Sequence, residues 1–148
     1  MQEEKEIIRL LRSITSTLSA TLNHTYEPFG MTGVQCLVLM EVYGSKEEVT
    51  IGDLAKQLMM SNSNLSAIVK RMVQRDLLYR SRSREDERIV CISLTDNAKS
   101  LIEQMEACVF QRCSFLADIQ AAQRVQIIES LILLDEAMKG GLGDEQSK

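Results

Sequence analysis

Four arginines fall within nine residues, Arg80 to Arg88, in the stretch LLYRSRSREDERIVCISLT at 77–95. A guanidinium is always charged and presents its donors in a planar fork, a geometry that suits phosphates and base edges. Glu85, Asp86 and Glu87 interrupt the arginines. Asp86 stands two residues before Arg88, near enough to brace that guanidinium through bidentate bonds, so that a long side chain loses less entropy on binding. A second cluster lies upstream. Ser61, Asn62, Ser63, Asn64 and Ser66 offer short hydrogen-bonding groups, and Lys70 and Arg71 follow. Short polar side chains permit close approach to base edges, while cations suit phosphates. Other chemistries find little support. One histidine, His24, and four cysteines without CxxC spacing, Cys36, Cys91, Cys108 and Cys113, make no metal set. There is no serine–histidine–acid spacing and no phosphate-binding glycine loop, so neither an enzyme nor a cofactor is expected.

The two clusters need elements to hold them. Apolar residues at helical spacing predict a helix over 62–75, with Leu65, Ile68, Val69, Met72 and Val73 inward and Ser61 as its N-cap. A short helix over 51–58 precedes it, opened by Thr50-Ile-Gly-Asp53. Two short helices across a tight break make a helix-turn-helix. Residues 77–82 and 88–94 read as strands joined by a turn at 83–87, and a basic hairpin after a helix-turn-helix is the layout of a winged helix. Its tip can enter the minor groove. Thr32-Gly-Val-Gln35 has the form of a capping box and opens an almost wholly apolar helix that Gly44 stops. Helices at 3–26, 95–117 and 120–138 complete the order α-α-α-α-β-β-α-α, before GGLG at 140–143 and a polar tail.

The expected architecture is therefore mostly α with a small β-hairpin. A winged helix-turn-helix at 32–94 is flanked by N- and C-terminal dimerisation helices at 3–26 and 95–138, in a single domain over 1–148. Those outer helices hold more apolar surface than one small winged helix needs, which points to a homodimer. The 148 residues are 45% apolar and 26% charged, with one proline, a composition of a globular helical protein. Net charge is −4, yet residues 50–95 carry eight Lys/Arg against five acids, and the remainder carries nine against sixteen. A segment of +3 within a body of −7 is a local footprint for a polyanion. No apolar run approaches the ~20 residues of a membrane span. MQEEKEIIRLL does not read as a signal peptide, so a cytoplasmic protein without a membrane partner is expected.

Three stretches resemble the multiple-antibiotic-resistance regulator (MarR) family: MTGVQCLVLMEV at 31–42, IGDLAKQLMMSNSNLSAIVKRMVQRDLL at 51–78 and DERIVCISLT at 86–95. The last is the most specific, with Asp86, Arg88, Leu94 and Thr95 in the family's wing pattern. Asp76 stands where the family often has glycine, and Ala98 is nearest to a second such place. The resemblance implies a homodimeric repressor that binds a palindrome in double-stranded DNA, with reading helices roughly 34 Å apart. It places residues 61–71 in the major groove and Arg88 in the minor groove, with Asp86 as brace, while Arg82 and Arg84 are expected to bind DNA as part of the basic wing tip. It also implies a small lipophilic or aromatic effector in a cleft, near which Ile14, Leu18, Cys36, Met40 and Met59 could lie. Each has an ordinary reading as core, since apolar stripes at helical spacing usually are. Two alternatives stand beside this one. The thiols could sense oxidants, although the first helix lacks the cysteine that the family's peroxide-sensing branch uses. A winged helix can also serve as a protein-binding adaptor.

Overall fold

Side-chain caps open the four helices of the central part of the chain. In the computed structural model, which describes residues 1–145, α1 (Gln2–Tyr26) runs into a 3-10 turn at Glu27–Phe29. Pro28 suits the start of that turn, and Gly30 ends it at φ 63°, a left-handed conformation that glycine adopts without strain. Thr32 then closes the expected capping box. Its hydroxyl accepts the Gln35 N–H at 3.3 Å while the Gln35 side-chain Oε1 accepts the Thr32 N–H at 3.1 Å, opening α2 (Gly33–Gly44). Thr50 Oγ1 accepts the Asp53 N–H and donates to Asp53 Oδ2, which opens α3 (Ile51–Gln57). Ser61 caps α4 (Asn62–Gln74) by accepting the Asn64 N–H at 3.3 Å. Thr95 accepts the Ala98 N–H at the start of α5 (Asp96–Arg112).

The expected hairpin is part of a three-stranded antiparallel sheet. β2 (Leu78–Arg82) pairs with β3 (Val90–Leu94) in the register Leu78 to Leu94 and Arg82 to Val90. β1 (Val49–Thr50) adds to the other edge of β3, with Val49 opposite Ile92, so the order is β1-β3-β2. Two residues make no periodic pattern, which is why sequence reading passed over β1. Two outer helices also differ from expectation. α5 stops at Arg112 rather than 117, and a 3-10 turn at Ser114–Asp118 follows. The Arg124 guanidinium donates to the carbonyls of Leu116, Ala117 and Ile119, at 3.5, 3.3 and 2.5 Å, and so satisfies acceptors that a broken helix leaves free. α6 (Ala121–Glu145) continues past Met138 and through Gly140 and Gly141, where a Cβ would meet no neighbouring element. The polar tail at 146–148 lies outside the described residues.

The chain divides into two compact units, residues 1–109 and 110–148. The first has a core of Val38, Leu39, Leu54, Leu65, Val69, Met72, Leu78 and Ile102, all but sealed from solvent. The helix-turn-helix, the sheet and the first part of α5 thus share one apolar centre. Tyr26 and Phe29 at the end of α1 pack against it, while Ile7, Leu10, Ile14 and Leu18 further up α1 are exposed. In the second unit, Val125, Ile128, Leu131 and Ile132 of α6 are exposed as well.

Candidate nucleic-acid interface

Burying one stripe of α4 turns the other outward. Leu65, Ile68, Val69 and Met72 enter the core, which leaves Ser61, Asn62, Ser63, Asn64, Lys70 and Arg71 exposed and Ser66 half-buried. Ser61 and Ser63 hydroxyls lie 3.3 Å apart, and Arg71 Nε donates to the Ala67 carbonyl at 3.3 Å. The start of the helix therefore offers hydrogen-bonding groups and its later turns offer cations. Among the described residues Lys70, Arg80, Arg82 and Arg84 have no ion-pair partner. Such cations favour an external polyanion.

The wing tip is built on its own backbone. Ser83 N–H donates to the Ile89 carbonyl at 3.0 Å, which closes the strands beneath the tip, and Ile89 N–H donates to the Asp86 carbonyl at 2.9 Å. Asp86 Oδ1 accepts the Arg88 backbone N–H at 2.9 Å, while Arg88 Nε stands 3.8 Å from the same oxygen. The expected bidentate brace is thus replaced by a backbone bond and one long ionic approach, because the carboxylate is committed to the turn. The Arg88 side chain is 94% exposed.

Sequence reading missed three contributions. Glu48 Oε2 accepts hydrogen bonds from Ser83 Oγ at 3.2 Å and Cys91 Sγ at 3.6 Å. Arg75, just past α4, donates to the Gly30 carbonyl at 2.8 Å and lies within 3.5 Å of the Phe29 carbonyl and Gln35 Oε1. Asp76 sits at φ 55°, in the place where the family often has glycine, and its carbonyl accepts from Thr95 Oγ1 and Asn97 Nδ2. The partners of Glu48 and Arg75 lie 35 to 46 residues away, beyond any local pattern. Only the glycine position of Asp76 left a sequence signal.

The five candidate effector residues differ in exposure. Cys36 is 2% exposed and donates to Met105 Sδ at 3.7 Å, within the core. Ile14, Leu18, Met40 and Met59 are exposed. None of the five borders the cleft of about 500 Å³ between α1 and the start of α2, where Asn23, His24, Glu27 and Met31 lie. Burial pushes the Cys36 thiol up to about 12. Cys91 is pushed up too, first by burial and then by the Glu48 carboxylate. Cys108 and Cys113 are half-buried, and Cys113 lies beyond the end of α5. Among the described residues no His/Cys/Asp/Glu cluster could hold a metal ion, and no helix is long and apolar enough to cross a membrane.

Comparison with known proteins adds the following. A family model described as "MarR family" matches residues 29–89. The "Organic hydroperoxide resistance transcriptional regulator" of Bacillus subtilis (strain 168) is 31% identical over 104 residues, 70% of each chain. The crystal structure of AbsC, a MarR family transcriptional regulator from Streptomyces coelicolor, superposes with a TM-score of 0.78 at 22% identity, over 95% of this chain and 97% of that one. The Staphylococcus aureus MepR–DNA complex does so with a TM-score of 0.75 at 21% identity, over 87% and 96%. At these identities the two structures speak for the fold.

Proposed function

The chain belongs to the MarR family of transcriptional regulators, and on that premise we propose that it is a homodimeric repressor reading a palindromic operator in double-stranded DNA. The observation that carries the reading is the outward face of α4. Its hydrogen-bonding groups at 61–64 and its cations at Lys70 and Arg71 belong to the same unit as the 94% exposed Arg88. In this reading α4 enters the major groove, Arg88 reaches the minor groove, and Arg82 and Arg84 hold phosphates. The DNA bound to MepR, a protein of the same fold, supports it. The exposed apolar stripes of α1 and α6 support the dimer. A small lipophilic effector would act by its differential affinity for two half-site spacings.

The test is fluorescence anisotropy of the purified protein with its own upstream DNA, beside scrambled DNA, across a salt series. Preferential binding that weakens steeply with salt is expected, as phosphate contacts release counterions. Arg88→Ala should cost about 1–3 kcal/mol of operator binding without changing the melting curve. Absence of binding at low salt would instead favour a protein-binding adaptor. Response to organic hydroperoxides is a second reading, favoured by the name of the B. subtilis relative. Against it, Cys36 and Cys91 are buried thiols with raised pKa values, and α1 contains no cysteine. Repeating the titration after mild peroxide, with a reduced control, separates the two.

A further inference from the structure

Glu48 lies in the loop between α2 and β1 and belongs to none of the motifs that suggest DNA binding. Its position is nevertheless specific. One carboxylate oxygen, Oε2, accepts from Ser83 Oγ at 3.2 Å and from Cys91 Sγ at 3.6 Å. Ser83 follows β2 and Cys91 lies within β3, so a single atom joins both arms of the wing. Both donors are buried, Ser83 at 8% exposure. Ser83 Oγ also accepts the Glu85 N–H at 3.3 Å, and its own N–H closes onto the Ile89 carbonyl. The loop that carries Arg84 and Arg88 thus stands on a base pinned from outside the hairpin. Burial and the Glu48 charge keep the Cys91 thiol protonated and therefore a donor.

We infer that Glu48 is a positioning residue for the wing, fixing the loop 84–88 for DNA through Ser83 and Cys91 without touching nucleic acid itself. The inference rests on the DNA-binding reading above. Charge and geometry make opposite predictions here. An anion beside a basic wing repels phosphates, so deleting it as a mere charge should tighten binding. Deleting a clamp should loosen binding, because the loop must then be ordered when DNA arrives. An exposed charge is screened within about 8–10 Å at ordinary ionic strength, whereas the loss of order is not screened. The clamp should therefore prevail, with an expected loss of about 3- to 10-fold in affinity.

The experiment compares full-length wild type with Glu48→Ala, Glu48→Gln, Ser83→Ala and Arg88→Ala. Each is read by anisotropy on upstream DNA, by thermal melting, and by the rate at which trypsin cuts after Arg84 and Arg88 in the free protein. Glu48→Ala should bind about 3- to 10-fold more weakly and be cut faster at the wing, with its melting curve close to wild type. Glu48→Gln keeps an acceptor oxygen and should retain both wild-type affinity and slow cutting. Ser83→Ala also removes the acceptor of the Glu85 N–H, so it should weaken binding at least as much as Glu48→Ala, and combining the two should cost little beyond Ser83→Ala alone. Should Glu48→Ala fail to fold, Ser83→Ala carries the comparison. Unchanged or tighter binding by Glu48→Ala, with unchanged cutting, overturns the inference, as does equal weakening by the Gln and Ala variants. If Arg88→Ala is silent, the wing's DNA role fails. If Arg88→Ala weakens binding and Glu48→Ala does not, only the clamp fails.

Discussion

Asp86 acts on Arg88 through the backbone. Its Oδ1 holds the Arg88 N–H at 2.9 Å, whereas the guanidinium is 3.8 Å away. This is the local turn chemistry for which Asp and Asn are suited. The Asp86–Arg88 spacing was legible in the sequence, but which nitrogen would be held was not, because the turn's backbone bonds decide it. Asp86→Ala should weaken operator binding by about 1 kcal/mol even though it removes a negative charge. Asp86→Asn keeps the acceptor and should bind nearly as wild type. Anisotropy at one salt concentration checks both, and tighter binding by Asp86→Ala would show that charge outweighs geometry there.

The helix-turn-helix contains a residue held against its preference. Met59 follows α3 at φ 52°, where a side chain with a Cβ costs of order 1 kcal/mol. Its side chain is 63% exposed, so little packing offsets that cost. Met59→Gly should stabilise the protein by about 1 kcal/mol and raise Tm by roughly 2–4 °C. Asp76 at φ 55° should gain less from the same change, since a short polar side chain tolerates this conformation. Caps and apolar stripes were legible at this scale because their partners lie within four residues. Thr32–Gln35, Ser61–Asn64 and Thr95–Ala98 all stand where local rules put them. β1, Glu48 and Arg75 were not legible, because each depends on residues that only the fold brings near.

At the scale of the molecule, apolar stripes remain exposed on each unit: Ile7, Leu10, Ile14 and Leu18 on α1, and Val125, Ile128, Leu131 and Ile132 on α6. A lone soluble chain rarely keeps so much apolar surface in water. Sedimentation should give twice 16.7 kDa. Leu131→Asp should shift the protein towards monomer and lower operator affinity more than ~10-fold, since one half-site must then bind without the other. A chain that stays dimeric after this change would place the contact elsewhere. Arg75 has a mechanical consequence at the same scale. It clasps the turn that follows α1, and α1 is 25 residues long, a rod of about 37 Å. The clasp ties the end of α1 to the residue that closes α4. The helix that carries Asn62 and Lys70 thus has its far end moored to the turn between α1 and α2, so Arg75→Ala should loosen that mooring, read as faster amide hydrogen exchange at residues 29–31.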